Sequence, residues 1–83
     1  MMATGSQLRA ARNALGWSIE TLAERSRVSV RTIIRYEDTN GVPPSRSGNL
    51  ETLVFTMQAA GIEFIGTPDD APGIRIRPER AED

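Results

Sequence analysis

Apolar residues recur every three or four positions through the first sixty residues of the chain. Leu8, Ala11 and Leu15 predict a helix from about Ser6 to Leu15, with Gly16 placed as a left-handed C′ residue. Ser18 is a good N-cap for a second helix that carries Ile19, Leu22 and Ala23 inward to about Ser26. Ser29 caps a third, running to about Asp38. On its wheel Val30, Ile33, Tyr36 and Glu37 share one side, while Arg31 and Arg35 lie opposite, one turn apart. The stretch from Thr39 to Gly48 is rich in Gly, Pro, Asn and Ser and predicts a loop. A fourth helix follows from about Asn49 to Ala60, with Leu50, Leu53, Val54 and Met57 as its stripe and Phe55 well round from it.

After Gly61 the period changes. Ile62 to Ile65 is a short β-type run, and Ile74-Arg75-Ile76-Arg77 alternates apolar and charged with period two. Gly66 to Gly73 between them is turn-rich, so the segment predicts a hairpin with a long loop. Its apolar residues, Ile62, Phe64, Ile74 and Ile76, need a surface to cover; the fourth helix offers part of one through Val54 and Met57, and a second copy of the chain is expected to supply the rest. Residues 78–83 have nothing to bury and are expected to form a flexible tail. The expected organisation is therefore a helical unit over 1–61, a β-type dimerisation element over 62–77 and the tail.

Composition narrows the function. The chain has 83 residues, of which 39% are hydrophobic, and neither cysteine nor histidine. Disulfides and thiolate chemistry are excluded, and the commonest metal ligand and neutral-pH acid–base group is missing. No paired-carboxylate constellation or glycine-rich phosphate loop stands in for them, so no enzyme, cofactor or metal site is expected. The start of the chain has neither the charged beginning nor the apolar stretch of a secretory signal, and no apolar run reaches the roughly 18 residues of a membrane span. A cytoplasmic, nucleoid-associated protein is expected, with no membrane partner and no small-molecule effector.

The net charge of −1 hides an asymmetry. Residues 1–48 hold seven arginines against four acidic residues, a net +3; residues 49–83 hold three against seven, a net −4. An anionic partner is expected for the front only. Every basic residue is arginine, the side chain suited to bidentate contact with phosphate or guanine.

The informative segment is residues 18–37. Two short helices joined by Arg27-Val28 have the spacing of a helix-turn-helix, spanning about 18–38. Ala23 is small where the helices cross closely, Val28 plugs the corner, and Leu22 and Ile33 join the pair to a core that also takes Leu8, Leu15, Leu53 and Met57. Glu37 falls on the inward side beside Ile33, where a lone carboxylate would be costly, and so needs a partner.

With Leu8, Arg12, Leu15-Gly16-Trp17-Ser18, Leu22-Ala23, Val28-Ser29, Thr32-Ile33, Arg35, Glu37, Leu50, Leu53, Met57 and Ala60-Gly61 in this order, the chain resembles the lambda repressor/Cro-like, or XRE, family of helix-turn-helix transcriptional regulators. The resemblance covers about residues 6–61. It implies a mainly α fold, a four- to five-helix lambda repressor-like DNA-binding domain, here with a short C-terminal β-hairpin extension.

The resemblance also implies roles. The recognition helix, 29–38, would lie in the major groove of double-stranded DNA, with Val30, Arg31, Thr32 and Arg35 at base edges; arginine is the best reader of guanine O6 and N7. Ser18 and Ser29, at helix N-termini, and Arg46, in the loop, would contact phosphates. Arg12 and Glu37 would form a structural ion pair. Four positions depart from the family pattern. Arg27 stands where glycine is usual, Ile19 and Ile34 are apolar where polar residues are frequent, and Asp38 is placed to pair with Arg35. The expected function is sequence-specific DNA binding by a homodimeric regulator. The alternatives are a protein–protein adaptor that keeps the fold without DNA binding, and the antitoxin of a toxin–antitoxin pair.

Overall fold

The computed structural model describes residues 3–45 and 47–77. Among these, four helices precede a two-stranded antiparallel hairpin: α1 (Gly5–Ala14), α2 (Ile19–Ser26), α3 (Val30–Glu37), α4 (Asn49–Ala59), β1 (Ile62–Thr67) and β2 (Asp70–Ile76). The mainly helical fold with a β-hairpin extension is thus the one the periodicity predicts. Arg46 and the expected tail at 78–83 lie outside the described residues.

Local chemistry sets the helix ends. Thr4 and Gln7 form a reciprocal capping box, which starts α1 at Gly5. Ser18 and Ser29 accept hydrogen bonds from the Thr21 and Thr32 amides and cap α2 and α3. Gly16 takes a left-handed φ of 71° just past the end of α1. Gly48, before α4, has no side-chain cap, and the Leu50 amide instead donates to Ser45 Oγ in the preceding loop at 3.1 Å.

The core joins all four helices. Leu8, Ala11, Leu22, Val28, Ile33, Leu53 and Met57 are buried, together with Tyr36, Leu50, Val54 and Ile62. Leu15 and Ala23, expected in this set, are half-buried at its margin. Gly5 makes the closest approach between helices: a Cβ there would lie 2.4 Å from the carbonyl oxygens of Tyr36 and Thr39. The start of α1 therefore sits directly on the end of α3, a contact only glycine permits.

The hairpin corrects one expectation. There is no long loop: β1 and β2 run to Thr67 and Asp70, which pair, leaving Pro68 and Asp69 as a two-residue turn. The register shifts between Ile65 and Thr67, and the extra residue lies in β2, where Pro72 has no amide to contribute. Gly66 (φ 77°) is required there, since a Cβ would meet the Ala71 carbonyl oxygen at 2.2 Å. Most of the apolar face packs on its own chain. Ile62 is buried, Phe64 and Ile74 pack against the core, and β1 lies on α4 while β2 lies on α1 of the same chain. Ile76, opposite Ile62 in the ladder, is the member left outside, 62% exposed.

Candidate nucleic-acid interface

The corner between α2 and α3 is built from four residues. Ser26 Oγ accepts from the Val28 amide at 3.1 Å and closes the turn. Arg27 takes the left-handed conformation (φ 65°, ψ 20°), and its amide donates to the Ala23 carbonyl at 2.8 Å. Val28 is buried beneath the corner, and Ser29 starts α3. An arginine thus holds a conformation that costs an ordinary L-residue about 1 kcal/mol.

Ile33, Tyr36 and Glu37 are the buried face of α3. Glu37 is gripped from α1. Arg12 Nε donates to Glu37 Oε2 at 2.7 Å and Nη2 to Oε1 at 2.9 Å, while Nη1 donates to the Trp17 carbonyl at 2.9 Å. Hydrogen bonding to the Glu37 carboxylate raises the Arg12 pKa above its ordinary value against the opposing effect of burial. One guanidinium thereby fixes α1, the chain entering α2 and the end of α3. Arg9 Nη1 adds a bond to the Glu37 carbonyl at 3.3 Å.

The opposite face of α3 is open. Arg31 and Arg35 are exposed, and Val30 and Thr32 are half-buried beside them. Among the described residues the ion pairs are Arg12–Glu37, Arg75–Glu63 and Arg77–Glu63. Asp38 therefore does not hold Arg35, whose guanidinium lies over the Tyr36 ring at 5.7 Å. Ile34, on the same helix, is 51% exposed.

A family model described as a helix-turn-helix domain matches residues 3–54. The chain belongs to this helix-turn-helix family. No curated protein matches it. A helix-turn-helix places its second helix in the DNA major groove and its first across the backbone. In this helix-turn-helix domain the first helix is α2 and the second is α3, and the open arginine face lies on α3. Among the described residues no group of His, Cys, Asp or Glu is arranged to hold a metal ion. None of the helices is long and apolar enough to cross a membrane.

The structure adds two features of this domain that the sequence reading passed over. At both helix starts the serine hydroxyl also donates to a threonine, Ser18 Oγ to Thr21 Oγ1 and Ser29 Oγ to Thr32 Oγ1, each at 3.0 Å. Each threonine oxygen accepts and its own O–H is not used in that bond, and the repeated Ser-x-x-Thr spacing carried the signal. Arg25 also lies 4.7 Å over the Trp17 ring. That stack braces the last turn of α2 against the residue before its cap, and no spacing in the sequence signalled it.

Proposed function

We propose that this domain is a lambda repressor/Cro-like regulator that binds double-stranded DNA sequence-specifically as a homodimer, with α3 in the major groove. The observation that carries the reading is the pair of exposed guanidiniums, Arg31 and Arg35, without an ion-pair partner among the described residues, on the outer face of a helix whose inner face is locked by Arg12. Arg31 and Arg35 read base edges, and Val30 and Thr32 complete the contact at the start of α3. Ser18 and Ser29 at the helix N-termini, joined by Thr21, contact phosphates, as does Arg46 from the loop before α4. One recognition helix reads few base pairs, so two copies take two half-sites about 34–36 Å apart. The dimer forms through 62–77, where exposed Ile76 and the outer strand edges of the hairpin are available to a second copy.

Selection of sites from random duplex DNA tests this. A two-fold repeat containing guanine should emerge, and affinity should fall steeply with salt as counterions are released. Failure to enrich any sequence, with no salt-sensitive duplex binding, would reject it. That result would favour the adaptor reading, which the 51% exposure of Ile34 on α3 supports. An antitoxin role is compatible with DNA binding and would show as a stable complex with a toxin protein.

A further inference from the structure

Gln7 is 5% exposed and its amide is fully engaged. Oε1 accepts from the Thr4 amide at 2.9 Å, which completes the α1 cap. Nε2 donates twice across the molecule, to the Ile65 carbonyl in β1 at 3.1 Å and to the Gly73 carbonyl in β2 at 2.8 Å. One side chain therefore fastens both hairpin strands to the first turn of α1. Glutamate would cap α1 equally well. Only the amide can also donate to two carbonyls, which accounts for glutamine at this position.

The opposite side of α1 holds α3. Gly5, Arg9 and Arg12 fall on one stripe, and Gln7 lies about half a turn round from it. Gly5 abuts the carbonyl oxygens of Tyr36 and Thr39, Arg9 bonds the Glu37 carbonyl, and Arg12 forks onto the Glu37 carboxylate. So α1 stands as a strut, with the end of α3 fixed to one side and the hairpin clasped to the other.

We infer that Gln7 is a positioning residue for operator geometry: it sets the hairpin against α1 and so sets the half-site spacing at which two α3 helices bind together. The inference rests on the proposed hairpin dimer and its DNA binding. In such a dimer the hairpin lies at the two-fold axis and α3 at the DNA. Any play between α1 and the hairpin becomes play in the separation and relative rotation of the two recognition helices.

The test compares the full-length protein with its Gln7→Glu variant, which keeps the cap acceptor and loses both donors to the hairpin. Binding is measured on a single half-site and on paired half-sites whose separation is varied in one-base-pair steps. Light scattering reports the oligomeric state, and amide hydrogen exchange reports the hairpin. Expected is half-site affinity within about twofold of wild type, faster exchange in 62–76 with α3 unchanged, and a broadened spacing profile. Where wild type loses about tenfold one base pair off its best spacing, the variant should lose under about threefold, since each step moves and rotates one half-site against the other. If Gln7→Glu does not fold, Gln7→Met, near in volume and uncharged, takes its place. A folded variant with the wild-type spacing profile overturns the inference. A wild type that binds operator as a monomer overturns the hairpin dimer and this role with it, and a wild type that binds no duplex DNA overturns the functional reading itself.

Discussion

Arg12 and Glu37 stand 25 residues apart in the chain and meet in a two-bond fork at 2.7 and 2.9 Å, their side chains 13% and 6% exposed. The fork joins the last turn of α1 to the last turn of α3 and fixes α3 with Arg31 and Arg35 facing outward. Glu37→Ala should destabilise the fold by about 3 kcal/mol in urea unfolding, because it strands a largely buried guanidinium. The pair Arg12→Met with Glu37→Leu should cost less than the single change. The Arg12 pKa is raised, so its stabilising contribution is complete below the ordinary arginine value and is lost only as pH rises past the folded one. No Arg12-linked loss of stability is expected near neutral pH. A smaller cost for Glu37→Ala than for the double replacement would show that the pair does not carry the junction.

Arg31→Ala should weaken binding to the selected operator by about 1–3 kcal/mol and to random duplex by less. Equal losses on both DNAs would make Arg31 a phosphate contact, and the salt dependence of binding would then fall by about one unit of slope.

Arg27 holds φ 65° at the helix-turn-helix corner. Arg27→Gly removes the left-handed penalty and should raise stability by about 1 kcal/mol, less the extra chain entropy glycine brings to the unfolded state. A thermal melt decides, and a lower midpoint would mean that the arginine side chain makes a compensating contribution.

Gly5→Ala places a methyl group 2.4 Å from two backbone oxygens. Neither is a flexible side-chain end, so α1 and α3 must separate, at a cost of about 2 kcal/mol by denaturant titration. A neutral result would show that the junction of these helices yields easily.

Ile76→Glu tests the proposed dimer without disturbing the core, since this residue is 62% exposed. Sedimentation should show wild-type dimers at micromolar concentration and monomers for the variant, with the same thermal midpoint under conditions where both are monomeric. Unchanged dimerisation would move the interface away from this end of the hairpin.

Much of this protein was readable in order along the chain. Ser18 and Ser29 announced α2 and α3, and the stripe of Leu50, Leu53, Val54 and Met57 announced α4. Arg31 and Arg35 announced an outward basic face. Caps and amphipathic stripes are set by residues within two turns of each other, so spacing alone reveals them. The need of Glu37 for a cation was legible because a buried charge demands one whatever the fold. The partner's identity came through the family pattern, and its geometry came only from the packing of α1 on α3. What the tertiary structure alone decided lies where distant segments touch. Turn-forming residues at 66–73 suggested a loop, yet pairing of Thr67 with Asp70 extends both strands through them. Ile62, Phe64 and Ile74 signalled an apolar face that the stripe of α4 could cover in part, and only the fold shows that α1 of the same chain joins α4 in covering it. Gln7 reads locally as half of a capping box. Its second role exists only because folding brings two half-buried strand carbonyls from about sixty residues away onto its amide, and the glutamine supplies both donors.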